Sequence, residues 1–286
     1  MNNIAGVVIL YLPDEADVLK NIESYIKYLS VLFIIDNTRK KSDSIAKKSE
    51  NYPNIIYIHN LQNEGIALSL NKAASMAYQR DCRWMLTMDQ DSFFEKEEGS
   101  SYFSSFQKEF LNKEDIGIVS PAHFSEMVKD KQGLYSDLVS VLTSGNLLQL
   151  NVWKQVSGFD EKLFIDEVDH EYCYRLKMAG YRVVQFNSIF LNHRLGKKNT
   201  GGYFGIISKR KRTIHSPERL YFMVRNYLYV KRKYKGEFPD EFRQRDKAVL
   251  TAVKNNLFFS GKFWPSFKSI LKGYRDFRAG NFSRSI

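Results

Sequence analysis

Two carboxylates one residue apart, Asp89 and Asp91, close the apolar run Trp84–Met88. Oxygen ligands at that spacing suit a hard divalent cation such as Mg²⁺ or Mn²⁺, whose chemistry is Lewis-acid help to an anionic leaving group. A second cluster runs from Phe164 to Arg175 and holds Asp166, Glu167, Asp169 and Glu171. Acids at the start of a helix can take a proton from a nucleophilic hydroxyl, and Glu171 stands one helical turn before Arg175. The third element is His193, which follows the apolar Ile189–Leu191. Each group has a plainer reading: paired aspartates occur in loops, acids complement a helix N-terminus, and a lone histidine is commonly a structural hydrogen-bonder. Together they make an oxygen-and-imidazole metal site with a separate base.

The elements that must position these groups alternate. Short β-branched runs at 6–12, 32–35 and 55–59 stand beside helical patterns at 15–29 and 66–79, which predicts a parallel α/β sheet. Ligand crevices in such sheets lie at the carboxyl ends of strands, so a strand at 84–88 that ends in Asp89-Gln90-Asp91 aims its acids at one. Further strands are expected at 116–120 and 181–187. Short helices are expected at 151–157, closed by Gly158, and at 167–179, capped by Gly180. Pro217 opens a helix through Val230, because proline is tolerated in a first turn.

The chain has 286 residues, 43% hydrophobic and 26% charged, which is globular composition and excludes disorder as the default. Its two cysteines, Cys82 and Cys173, lack metal-type spacing and support neither a disulfide framework nor a zinc module, so a reducing compartment fits best. No apolar window reaches membrane-spanning length, and the start, which lacks a basic segment ahead of Val7–Leu12, reads as a strand. The net charge of +11 is uneven: residues 205–286 carry 20 Lys+Arg against 6 Asp+Glu, leaving 23 against 26 in residues 1–204. Basic residues with Phe258, Phe259, Phe263, Trp264, Phe267, Tyr274 and Phe277 suit peripheral attachment to an anionic inner leaflet, and packing on the core accounts for the same aromatics. Nucleic acid is not an expected partner, since no binding motif accompanies the charge.

Several motifs occur in order over roughly residues 4–230: Val8-Ile9-Leu10-Tyr11, Ile34-Ile35-Asp36-Asn37, Asn63-Glu64-Gly65-Ile66-Ala67 with Asn71, Met88-Asp89-Gln90-Asp91-Ser92, Ser144-Gly145-Asn146, Gly158-Phe159-Asp160-Glu161, Phe164 through Arg175, and His193-Arg194-Leu195-Gly196. In these the sequence resembles glycosyltransferase family 2, and within it the bacterial rhamnosyltransferases of O-antigen and capsule synthesis. The resemblance implies an α/β, Rossmann-like GT-A fold with a mixed central sheet over residues 1–205. A helical, basic C-terminal region, 206–286, would follow on the acceptor side or at a membrane surface.

It also implies roles. Tyr11 and Asp36 match nucleobase contacts, Asn63 and Gly65 the turn that approaches the nucleotide, and Asn71 and Gln90 further donor positions. Asp89 and Asp91 match the DxD metal element, with Asp91 the more direct ligand, and His193 a histidine near the metal and diphosphate. The family's acid six residues before the helix arginine falls on Asp169, which makes it the expected base; Asp166 is the rival because Val168 departs from the commoner Glu-Asp form. Ser144, Gly145 and Glu171 fall on the acceptor side, and Arg225 is a candidate for phosphate or for a helix-face ion pair. The expected reaction is inverting transfer, with a divalent metal, from a dTDP or UDP sugar, dTDP-L-rhamnose first, to a carbohydrate or lipid-linked hydroxyl. The expected location is the cytoplasm, with the inner face of the plasma membrane as a peripheral site. Nucleotidyl transfer is disfavoured because no Gly-rich phosphate loop opens the chain.

Overall fold

The β-branched run Ile4–Leu10 forms β1, and the equally apolar runs Val31–Asp36 (β2), Ile55–His59 (β3) and Trp84–Asp89 (β4) lie parallel to it. The computed structural model describes residues 3–123, 133–193 and 213–283, apart from the His193 side chain. Beyond β4 come β5 (Ser92–Phe93), β6 (Ile116–His123), β7 (Tyr135–Asp137), β8 (Asn146–Gln149) and β9 (Arg182–His193). The order is β3-β2-β1-β4-β8-β6-β9-β5, with β7 paired to β9. The sheet is mixed: β8 is antiparallel to β4 and β6, whereas β6 and β9 are parallel.

Strand alternation sends Ile4, Val8 and Leu10 of β1, with Leu32, Ile34, Trp84, Leu86 and Met88, into one core cluster. Helices α1 (Glu15–Glu23) and α4 (Lys96–Glu109) complete that cluster with Val18, Ile22, Tyr102, Phe103 and Phe106. Helix α3 (Ile66–Tyr78) packs on β1, β2 and β4 from outside it, through Ala67, Leu70, Ala73, Ala74 and Ala77, and so covers the other face. Three differences from the sequence reading stand out. The predicted helix 15–29 stops at Glu23, where the Ser24 N–H turns back to the Asn21 and Ile22 carbonyls, and a 3₁₀ turn follows at Ile26–Tyr28. A short helix, α2 (Asp43–Ser49), was not expected. The runs 181–187 and 189–191 form one strand of 12 residues, β9.

Two compact units arise, one from Met1–Glu161 with Val168–Arg194, the other from Lys162–Glu167 with Leu195–Ile286. The first also contains α5 (Leu150–Gln155) and α6 (Val168–Met178). The second holds α7 (Pro217–Tyr234), α8 (Pro239–Phe259) and α9 (Phe263–Ala279). Ser216 caps α7 by accepting from the Arg219 N–H, with Pro217 in the first turn. Helix α9 lies against α7 through Gly273, where a Cβ would stand 2.7 Å from the Tyr221 carbonyl oxygen.

Candidate active site

Register brings the first set of expected residues to one edge of the sheet. Leu10 pairs with Asp36, Ile9 with Asp89 and Asp36 with His59, so β1 to β4 end level with one another. Tyr11, Asp36, Asp89 and the turn Gln90-Asp91 therefore share the carboxyl edge, where a parallel sheet leaves its crevice.

Asp36 is fully buried. Its Oδ1 accepts from the Thr38 N–H at 2.8 Å, and its Oδ2 accepts from the Ser42 N–H at 3.0 Å and the Tyr57 hydroxyl at 2.5 Å. Burial pushes this carboxyl up, but the bonds from Tyr57, Thr38 and Ser42 outweigh it and hold it below the ordinary value. The same contact, on top of burial, raises the Tyr57 phenol. Asn37 follows in the chain and is equally enclosed: its Nδ2 donates to Ser69 Oγ at 3.0 Å, and its Oδ1 accepts from Asn60 Nδ2 at 2.8 Å. The end of β2 is thereby tied to the start of α3. There Gly65, at φ +82°, precedes the first turn and donates its N–H to Asn63 Oδ1 at 3.0 Å. A side chain rarely adopts that φ, which explains glycine at the closest turn.

The middle residue of Asp89-Gln90-Asp91 does the positioning. Gln90 Oε1 accepts from the Tyr11 N–H at 2.9 Å while its Nε2 donates to the Tyr11 carbonyl at 3.2 Å, clamping the end of β1 to the turn after β4. Asn21 Nδ2 donates to the Gln90 carbonyl at 2.9 Å. Tyr11 is left half-exposed at 52%. Ser144 Oγ accepts from the Asp89 N–H at 3.0 Å, and Gly145, at φ +86°, passes so close to Pro121 that a Cβ would meet it at 2.6 Å. Ser144 and Gly145 are buried; they brace the back of Asp89. Asp89 and Asp91 are themselves partly buried. Ser92, next after Asp91, pairs with His193, so the backbone of the expected third metal residue runs beside the aspartate turn. Arg194-Leu195-Gly196 lies outside the described residues.

Asp169 lies in the first turn of α6 and lines a small cavity with Thr87, Thr143, Asn146 and Tyr172. The Asp169 Oδ1 accepts from the His170 N–H at 2.9 Å. The Tyr172 hydroxyl and Asn146 Oδ1 are buried without hydrogen-bond partners among the described residues, so this cavity presents unsatisfied polar atoms beside a carboxylate. A buried polar group without a partner is costly to keep.

Four other expected residues are engaged in holding the structure. Glu171 is fully buried and bonds Arg175 twice, Nε to Oε1 at 3.2 Å and Nη2 to Oε2 at 2.6 Å. Asn71 accepts from the Phe159 N–H and the Trp153 indole and donates to the Phe159 carbonyl and Glu161, using its whole amide. Arg225, fully buried in the helical unit, donates to Asn226, Tyr221 and the Ser283 carbonyl amid the rings of Tyr221, Phe222 and Phe282. Asp166 belongs to that unit too, with Oδ1 on Arg219 at 3.0 Å. Asp166 and Glu167 both have left-handed φ, near +60° and +66°, held by Asn226 Nδ2 on the Ile165 carbonyl at 2.6 Å and by Arg245 on Glu167 at 2.6 Å.

Comparison with known proteins agrees with this architecture. Residues 7–128 match the model of glycosyl transferase family 2. The chain carries a glycosyltransferase family 2 domain. It is 26% identical over 255 residues, 81% of each chain, to the dTDP-rhamnosyl transferase RfbF of Shigella flexneri. Its fold is similar to GalNAc-T7 crystallised with UDP, GalNAc and Mn²⁺, with a TM-score of 0.59 at 14% identity over 84% of this chain and 50% of that one. It is also similar to S. aureus TarS in complex with UDP-GlcNAc, with a TM-score of 0.50 at 14% identity over 78% and 64%. The chain thus spans about half of the GalNAc-T7 chain and under two thirds of the TarS chain. The GT-A fold expected from the sequence is the observed one.

Sequence reading missed several residues that stand beside the expected ones. Tyr57 and Asn21 carry no motif, and only the two-residue period of β3, which puts Tyr57 between Ile55 and His59 on one face, points to the first. Tyr172 sits inside the recognised acid cluster but reads there as core. Among the described residues no three His, Cys, Asp or Glu side chains converge as a metal cluster. Asp89 and Asp91 supply two hard carboxylates, a donor set that would fit Mg²⁺ or Mn²⁺ with phosphate oxygens and water as further ligands.

Proposed function

We propose that this glycosyltransferase moves L-rhamnose from dTDP-L-rhamnose to a hydroxyl of a carbohydrate or lipid-linked acceptor, with inversion, in the synthesis of a cell-surface polysaccharide. The level ending of β1, β2 and β4, which aligns Tyr11, Asp36 and Asp89, carries the donor-site reading. The choice of donor rests on the likeness to the dTDP-rhamnosyl transferase.

In this reading Asp36 acts by holding the Thr38 turn. Thr38 Oγ1 accepts from the Leu12 N–H at 3.0 Å, so the strand end that offers Tyr11 to the nucleobase is already formed before the donor arrives. Asn63 and Gly65 let the backbone approach the nucleotide. Asp89, Asp91 and His193 would hold the divalent ion, which would supply neutralisation of the charge on the departing diphosphate. Asp169 takes the proton of the acceptor hydroxyl; that oxygen then forms the new bond to the anomeric carbon as the bond to the diphosphate breaks. No enzyme-bound sugar intermediate forms, and the anomeric configuration inverts. Ser144 and Gly145 support this arrangement from behind Asp89.

Calorimetric binding tests the proposal, with dTDP-rhamnose, UDP-galactofuranose, UDP-glucose and UDP-GlcNAc titrated in Mn²⁺ or in EDTA against the protein and Asp91→Ala. The expected result is Mn²⁺-dependent binding of dTDP-rhamnose that Asp91→Ala abolishes. Binding of a UDP sugar alone overturns the donor assignment, and metal-independent binding overturns the role given to the aspartates.

A further inference from the structure

Helix α9 has two apolar faces. Ser266, Gly273 and Phe277 are buried, Gly273 against the backbone of α7. Trp264, Phe267, Leu271 and Tyr274 follow one another at intervals of three and four residues, which places them on a single stripe. That stripe is turned outward, with exposures of 67%, 43%, 36% and 46%. Its rings are organised: Phe263 stacks on Phe267 with planes 2° apart, Trp264 stands edge-on to both, and Phe258 at the end of α8 joins at 6.3 Å from Phe263. Helical rotation places Lys268, Lys272 and Arg275 along one side of the stripe, and all three are exposed. Residues 250–286 contain seven Lys+Arg and one acid, Asp276. That acid faces inward, its Oδ2 accepting from the Tyr221 hydroxyl at 2.7 Å.

A row of exposed aromatic and aliphatic side chains bordered by cations matches the boundary between acyl chains and anionic headgroups: the apolar row enters the boundary, the cations meet phosphates, and Trp and Tyr present a polar tip to the wet side. No helix among the described residues is long and apolar enough to cross a membrane, so such a contact is with the surface. We infer that the exposed stripe of α9, with Phe258, is a docking surface for an anionic lipid bilayer, on which the protein lies with α9 in the plane of the interface. Charge chooses this occupant: a second copy of the chain would bring like charges against Lys268, Lys272 and Arg275.

Flotation of the full chain with vesicles of phosphatidylcholine alone, or mixed with phosphatidylglycerol, tests the inference without reference to the transferase reaction. Binding is expected to the mixed vesicles and to fall with added salt. Lys268→Ala with Lys272→Ala should lower the partition coefficient roughly 25-fold, about fivefold for each cation removed from the surface. Trp264→Ser with Phe267→Ser should lower it by roughly a hundredfold. Both variants should keep one cooperative thermal transition, its midpoint lowered only by the lost ring contacts of Trp264 and Phe267 or the Lys272 contact 5.2 Å from the Tyr221 ring, which separates lost docking from lost folding. Absence of binding to mixed vesicles, or binding that neither pair of substitutions weakens, overturns the inference. So does a dimer in sedimentation velocity that Trp264→Ser with Phe267→Ser dissociates while vesicle binding persists.

Discussion

Removing Arg175 tests whether Glu171 is a structural acid or an acceptor contact. The Glu171 side chain has no exposed surface, that of Arg175 is 22% exposed, and the two are joined by paired hydrogen bonds across one turn of α6. Arg175 also donates through Nη1 to the Val156 carbonyl at the end of α5. Breaking a buried pair by deleting one partner typically costs about 3–5 kcal/mol, because the remaining charge stays in a poorly solvated place. Partial exposure of the guanidinium puts Arg175→Met near the lower end, about 3 kcal/mol, and at roughly 2–4 °C per kcal/mol the unfolding midpoint should fall by roughly 6–12 °C. Glu171→Leu combined with Arg175→Met removes both charges and should recover more than half of that loss. Circular dichroism melts and urea titrations of the four proteins in the cycle give the coupling. If Glu171→Gln leaves the midpoint unchanged but raises KM for the acceptor, the carboxylate contacts substrate and the structural account fails.

Three further outcomes follow from the site. Tyr57→Phe removes a bond that holds the Asp36 carboxyl below its ordinary value. A depressed carboxyl stabilises fully above its unfolded pKa of about 3.9 and stops doing so as pH falls through the folded value, so the variant should lose about 2 kcal/mol near neutrality and converge with the parent in acid. A gap that stays constant in urea titrations from neutral pH to about pH 3 contradicts that linkage. Gln90→Leu breaks both bonds to Tyr11; donor affinity should fall roughly tenfold for about 1–2 kcal/mol of lost preorganisation, and an unchanged affinity by calorimetry argues that the clamp is idle. Asp169→Asn should lower kcat by roughly 10²–10⁴ while donor binding persists, whereas parent-like turnover would move the base to another residue.

Much of the sheet was legible because it depends on short-range pattern. The runs at β1, β2 and β3 are apolar and β-branched and that at β4 is apolar and ends in polar turn residues, so their existence and the placement of Asp89-Gln90-Asp91 at a strand end could be read directly. Helix α2 was not legible: seven residues with a Lys-Lys pair show too little period to distinguish them from a loop. The split of the 15–29 pattern was equally hidden, because Tyr25, Ile26 and Leu29 are apolar whether they lie on a helix or on a 3₁₀ turn.

Residue type and order along the chain sufficed for the family, the GT-A fold and the set of acids from which a site could be built, since these follow from local periodicity and from motifs. Which acids remain available to a substrate depended on partners distant in sequence. Tyr57, 21 residues away, reaches Asp36 from the neighbouring strand, and Arg219, 53 residues away, holds Asp166. A carboxylate looks the same in a sequence whether water, a metal or a guanidinium will satisfy it. Only packing, by excluding water and bringing one particular donor within about 3 Å, decides which of these it meets.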